Sequence, residues 1–238
     1  GADEVGMIPG SNRFPSRRFE FTFGVVLILG CFGLIGLTYK IKELAWILSL
    51  VTLELLIPLV MSLVSAGLLA GDPAIEILLT VHRPVWRTLV ERIGLVLGVA
   101  AGLGGLLLYL AQRWEILLPK DGSDSIFIWL SPLVFYLGLA NAIALLRGRI
   151  IDGAIAILGV AGLSLLALLR IPQLCAGLPK GAQCLWWLTS PIMTLGDPTH
   201  PTWPLNRLVL LGVGIGLLAL SFALAQREEP LLPQSSSE

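Results

Sequence analysis

Charge is what this sequence has least of. Only 13% of its 238 residues are Asp, Glu, Lys or Arg, about half the roughly 25% of an ordinary soluble domain. With a mean hydropathy of +0.86, so few charges cannot dress a water-facing surface. Soluble enzymes and nucleic-acid binders are therefore excluded, and no nucleic-acid partner is expected. Cysteine is scarce as well, and three residues, Cys31, Cys175 and Cys184, are too few for a disulfide-stapled secreted domain. The only histidines are His82 and His200, and neither stands at metal-ligand spacing from a cysteine. HExxH, a Gly-x-Ser-Gly serine element and paired aspartates within an apolar run are all missing. The phosphate-binding pattern GxxxxGK[ST] is missing too, so the chain does not hydrolyse nucleotide by that route. No catalytic, metal or cofactor residue is expected in this chain.

Long charge-free stretches stand in place of these motifs. Phe21–Tyr39, Ile93–Gln112, Ser125–Leu146, Gly153–Leu169 and Leu208–Gln226 carry no Asp, Glu, Lys or Arg. Each is close to the roughly 20 helical residues that cross a hydrocarbon core about 30 Å thick. A sixth stretch, Leu44–Gly71, is longer and carries one charge, Glu54. The runs are continuous, whereas barrel strands alternate over segments of about ten residues. The expected fold is all-α, a polytopic membrane protein of six transmembrane helices over residues 21–226. Residues 1–20 form an N-terminal segment, and 227–238 read as a low-complexity, disordered tail. The connections are too short to hold a soluble catalytic domain. The first apolar run is full length with no small-residue cleavage pattern behind it, so no removable signal peptide is expected.

Six spans put both termini on one side. That side, with segment 72–92 and turn 147–152, collects nine of the 16 Lys and Arg residues, against seven opposite. The positive-inside tendency makes it cytoplasmic, in a cell inner (plasma) membrane. Cys175 and Cys184 then fall in the external connection 171–206, where an oxidising exterior lets them pair; two free thiols are the alternative. Six of the seven tryptophans fall on the external side, leaving Trp86 opposite.

Glu54 is the one ionisable residue deep in a span. It lies about ten residues in, or roughly 12–15 Å along the helix. A carboxylate at that depth faces a cavity, a partner helix or water. It reads either as a pathway or interface residue or as a protonated or hydrogen-bonded structural group. Asn141, in the fourth span, carries the same two readings. Pro58 follows Glu54 by one turn and frees a carbonyl near it, which is expected to bend the helix. Gly94, Gly98 and Gly102 recur every fourth residue and form a groove for close helix approach, within the chain or across a dimer. Gly212, Gly214 and Gly216 thin the sixth span without making one stripe.

Segment 72–92 is longer than a turn between two spans requires. Asp72 and Pro73 supply an acid N-cap and a proline at the first helical position. Glu76 and the run Ile77–Leu78–Leu79 follow, then His82, Arg83 and Pro84, then Trp86, Arg87, Glu91 and Arg92. The helix so begun is amphipathic and too short to cross. It is either an interfacial helix on lipid headgroups or a docking helix for a cytoplasmic partner.

Glu54–Leu55–Leu56–Ile57–Pro58, Gly71–Asp72–Pro73–Ala74–Ile75–Glu76–Ile77–Leu78–Leu79, Arg83–Pro84 and Glu91–Arg92 together resemble the permease subunits of type-2 ATP-binding-cassette (ABC) transporters. In that family a cytoplasmic coupling helix between spans two and three, with an acid near its start, docks on the ATPase. The resemblance implies that Asp72, Glu76, His82, Arg83 and Arg87 make that contact. It also implies a short re-entrant element between spans five and six, to which Cys184–Leu195, with Trp186, Trp187, Ser190 and Pro191, is similar. The expected function is the membrane-spanning subunit of an exporter, paired with a second permease subunit in the lipid bilayer. A separate nucleotide-binding ATPase subunit would carry ATP and Mg. A membrane anchor or assembly subunit without transport is the alternative, with a small intramembrane enzyme third.

Overall fold

In hydrocarbon a backbone amide has no water to bond, so a charge-free run must satisfy its own N–H and C=O groups by coiling. The computed structural model, which describes residues 15–70, 85–116, 124–175, 189–196 and 199–226, follows that rule. Every regular element among the described residues is helical. Helix α1 spans Pro15–Thr38. Helix α2, Lys42–Val51, runs through a π-helical stretch, Thr52–Leu56, into α3, Ile57–Ala70. Helix α4 is Val85–Arg113, α5 Asp124–Arg147, α6 Ile150–Cys175, α7 the four residues Met193–Gly196, and α8 Trp203–Ala225.

Four of these rods are long and apolar enough to cross a membrane: Lys42–Gly67, Leu89–Arg113, Asp124–Arg147 and Trp203–Ala225. Gly24–Thr38 and Ile150–Leu166 are shorter apolar helices. The chain is thus an all-helical protein built to sit in a membrane. Of the expected coupling residues, Asp72, Glu76, His82 and Arg83 lie outside the described residues, as do Cys184 and the tail 227–238.

Local chemistry sets the helix ends. Gly148, at φ 66°, takes the left-handed position that follows a helix C-terminus and turns α5 into α6 between Arg147 and Arg149. Glu115 does the same after α4 at φ 54°, where the Ile116 N–H reaches back to the Ala111 carbonyl at 2.9 Å. Two buried hydroxyls are satisfied within their own helices: Ser49 donates to the Ala45 carbonyl and Ser62 to that of Pro58, both at 2.7 Å.

Helix α5 is the hub. Two thirds (67%) of its apolar window is buried, against 28% for α4 and 22% for α8, and it packs on α3, α6 and most extensively on α8. Ile28, Leu53, Ile57, Met61, Leu107, Leu133 and Leu137 form the main core, and Ala66, Tyr136, Ala140, Ala144 and Ile157 a second cluster. Large apolar side chains such as Leu37, Ile155, Leu208 and Ile215 are exposed, as lipid-facing residues should be.

Lipid tails are as apolar as leucine, so helices in a membrane associate by close packing at small residues. The glycines that do this here are not those of the four-residue stripe. A Cβ on Gly138 would stand 2.6 Å from the Gly214 carbonyl oxygen, and one on Gly214 would stand 2.7 Å from the backbone of Val134 and Phe135. A Cβ on Gly153 would stand 2.5 Å from the Ala140 carbonyl oxygen. A Cβ added at Gly94, Gly98 or Gly102 meets nothing within 4 Å, so the groove they form is unused among the described residues. Of the three alternating glycines of α8, only Gly214 makes a close approach.

Candidate functional site

Proline has no N–H, and its ring clashes with the carbonyl four residues earlier. For Pro58 that carbonyl belongs to Glu54. The helix meets the conflict by widening one turn early. Residues Thr52–Leu56 are π-helical, and the Ile57 N–H bonds the Thr52 carbonyl, five residues back. Such π-helical turns are rare and often mark functional positions. The distortion expected at Pro58 thus takes the form of an extra residue in the turn that carries Glu54.

Glu54 is fully buried. Its carboxylate accepts the backbone N–H groups of Thr194 on Oε1 and Leu195 on Oε2, both at 2.8 Å. It therefore caps the N-terminus of α7 from another part of the chain, where the exposed amides of a helix start favour an anion. Arg207, in the first turns of α8 and 2% exposed, donates from Nη2 to Glu54 Oε1 and forms a buried ion pair with it. The same nitrogen bonds Thr194 Oγ1, Nη1 reaches the Pro191 carbonyl at 3.3 Å, and the guanidinium lies 5.3 Å over the Trp203 ring.

Segment 190–195 is stitched down along its length. Trp203 Nε1 donates to Thr194 Oγ1 at 2.9 Å, and Asn206 Nδ2 to the Ser190 carbonyl at 3.0 Å. The junction thus joins three pieces far apart in sequence: the π-helical turn, α7 with the residues before it, and the start of α8. Two buried donors around it have no hydrogen-bond partner, Arg207 Nε and the hydroxyl of Tyr136 on α5. Helix α5 packs directly against the π-helical turn.

Chemically the junction is a clamp. Both carboxylate oxygens are engaged, Oε1 by the Thr194 amide and Arg207 and Oε2 by the Leu195 amide. Among the described residues no group of His, Cys, Asp or Glu could hold a metal ion.

Asn141 serves a second, smaller link. Its Nδ2 donates to Ser65 Oγ and to the Leu137 carbonyl, each at 2.9 Å, so it ties α5 to α3. Interhelical hydrogen bonds in membranes are worth about 0.6 kcal/mol on average. Ser65→Ala should therefore cost about 0.6 kcal/mol in reversible unfolding from mixed micelles, since Asn141 keeps its bond to Leu137. A loss above about 2 kcal/mol would mean that Ser65 does more than meet Asn141.

Of the remaining sequence candidates, Arg87 is exposed near the start of α4 and stands 3.6 Å from Glu91, an exposed pair of little energetic weight. Cys175 is the last residue of α6; its expected partner Cys184 falls outside the described residues, and Cys31 is a free thiol. Arg207, Thr194 and Trp203 did not stand out in the sequence as partners of Glu54. One signal was available: a buried carboxylate in a membrane needs a countercharge, and Arg207 is one of the two cations that border the charge-free run Leu208–Gln226. Neither protein families, nor curated proteins, nor solved structures provide a match to this chain.

Proposed function

We propose that this chain is the permease subunit of an ABC-type exporter: six spans with both termini in the cytoplasm, working as a dimer and driven by a separate ATPase. The observation that carries the proposal is the depth of the junction. Glu54 is 12 residues beyond Lys42, where α2 begins, which is about 18 Å along the helix. Its partner Arg207 is only four residues into α8. If Lys42 marks the membrane surface, α8 begins well inside the hydrocarbon. The connection between α6 and α8 must then dip into the bundle and return. That geometry supports a re-entrant element between the fifth and sixth spans, the layout of the transporter family that segment 54–92 resembles. Helices α1 and α6 supply the first and fifth spans beside the four longer rods.

Power enters at segment 72–92. Closure of an ATPase pair pushes on this segment, and the push is delivered to α3 and α4, which pack on each other. Helix α3 is continuous with the π-helical turn, so a displacement at the cytoplasmic end reaches Glu54 as motion of one rod. The glycine groove Gly94–Gly98–Gly102, open among the described residues, is the kind of surface on which a second subunit's helix can pack.

The test is substitution at the coupling segment. Glu76→Gln removes charge and keeps shape, and Arg83→Glu reverses charge at the helix exit. Both should leave the subunit inserted and folded while lowering copurification of an ATPase, or its cargo-stimulated hydrolysis, by about tenfold, equivalent to about 1.4 kcal/mol of contact energy. A helix that only lies on lipid would respond instead to loss of Leu79 or Trp86. Normal copurification and full coupled hydrolysis in both charge variants would refute the permease assignment and leave an anchoring subunit.

A further inference from the structure

We infer that the Glu54–Arg207 pair is a release catch: it holds segment 189–196 in the bundle in one state and frees it in another. The inference deepens the permease reading, on which the purpose of the catch rests; its existence stands on the geometry of the junction alone.

Four observations lead there. Segment 189–196 buries Ile192 and Met193 in the bundle, and four of its polar bonds converge on one ion pair. The Thr194 and Leu195 amides go to Glu54, and the Thr194 hydroxyl and Pro191 carbonyl go to Arg207. A clamp of this kind opens all at once, because loss of the Glu54 carboxylate removes the anion that both α7 amides and the guanidinium share. The second observation is the helix of four residues that the clamp caps. So short a helix cannot stand on its own hydrogen bonds, so its order is borrowed from its surroundings, and Glu54 supplies the partner for two of its amides.

The third is the position of Glu54 on a π-helical turn. A π-turn holds one residue more than an α-turn and can return to α geometry, which rotates the carboxylate relative to α8. The fourth is the pair of buried donors left over, Arg207 Nε and the Tyr136 hydroxyl. An unpaired buried donor is costly, so a second arrangement of the junction that pairs either of them would be favoured to that extent.

The catch is tested on the purified full chain, without any ATPase. Ser190 is 5% exposed, so a cysteine there is shielded while the segment is held. Thr189, exposed in this structure, gives the open reference. Labelling of Ser190→Cys by a charged maleimide is followed over time and located by fragment mass spectrometry, so that native cysteines do not interfere. Glu54→Gln should speed labelling at Ser190→Cys by at least about tenfold, equal to about 1.4 kcal/mol of opening free energy, and leave Thr189→Cys unchanged. Thr194→Val, which removes one hydroxyl and keeps the ion pair, should give a smaller rise in a chain certain to retain its charges.

Unchanged labelling in both variants, with normal helical content and elution, would overturn the inference and assign the segment's order to apolar packing of Ile192, Met193 and Trp203. The permease reading would survive that result, since it is tested at Glu76 and Arg83. Conversely, a catch that opens in a chain no ATPase accompanies would stand while the permease reading fell.

Discussion

Arg207→Met is expected to destabilise the folded bundle by about 3–5 kcal/mol, the cost of leaving one charge of a buried pair uncompensated. The reason lies in what remains. Glu54 is fully buried and would keep two amide donors without the guanidinium opposite. Methionine fills much of the arginine stem, so the loss is electrostatic and not a cavity. Glu54→Gln should cost less, because a neutral amide can still accept one N–H of α7, but it strands Arg207 in turn. The double variant Glu54→Gln/Arg207→Met removes both charges and is expected to recover at least about 2 kcal/mol relative to the sum of the singles, within the range that contacting residues show. Unfolding from mixed micelles at several detergent ratios measures all four proteins. Strict additivity would mean that the two side chains do not act as one unit, and the junction would lose its central place in the fold.

That junction also marks where the sequence stopped being readable. The rods were legible because charge-free runs of membrane length leave no alternative to helices, and their ends followed from charges and turn residues such as Gly148. Glu54 was legible because one carboxylate in an apolar run demands an account. Pro58 announced a distortion beside it, yet whether the helix would bend or widen depends on what packs around the turn. Arg207 was not legible as its partner. It lies 153 residues from Glu54 and sits where a flanking, interfacial arginine would also sit. The stretch from Ser190 to Leu195 is too short to show a hydrophobic period, and its main-chain groups bond side chains of other elements, which no local pattern encodes. The glycines were half legible. Spacing pointed to Gly94, Gly98 and Gly102, whereas the contacts fall at Gly138, Gly153 and Gly214, because closeness is set by where two rods cross and not by repetition along one of them.

The crossing of α5 and α8 makes that difference measurable. Gly214→Ala is expected to lower stability by about 3 kcal/mol, the upper end of overpacking costs, and Gly214→Val to prevent accumulation of folded protein. The added Cβ would stand 2.7 Å from the carbonyl of Val134 and the nitrogen of Phe135. These are backbone atoms of the central helix and cannot retreat as a flexible side chain would. Relief requires α8 to move away from α5, and α8 also carries Arg207, so the strain is passed two turns along the helix to the ion pair. Gly216→Ala serves as the control on the same helix. Nothing lies within 4 Å of its added methyl, and alanine's higher helix propensity should leave stability unchanged or raise it by up to about 1 kcal/mol. The four proteins, parent included, are compared by thermal or detergent unfolding and by Ser190→Cys labelling. Gly214→Ala should speed that labelling and Gly216→Ala should not. Equal losses from the two alanine variants would show that helix thinning as such, and not the Gly138–Gly214 crossing, sets the packing of α8.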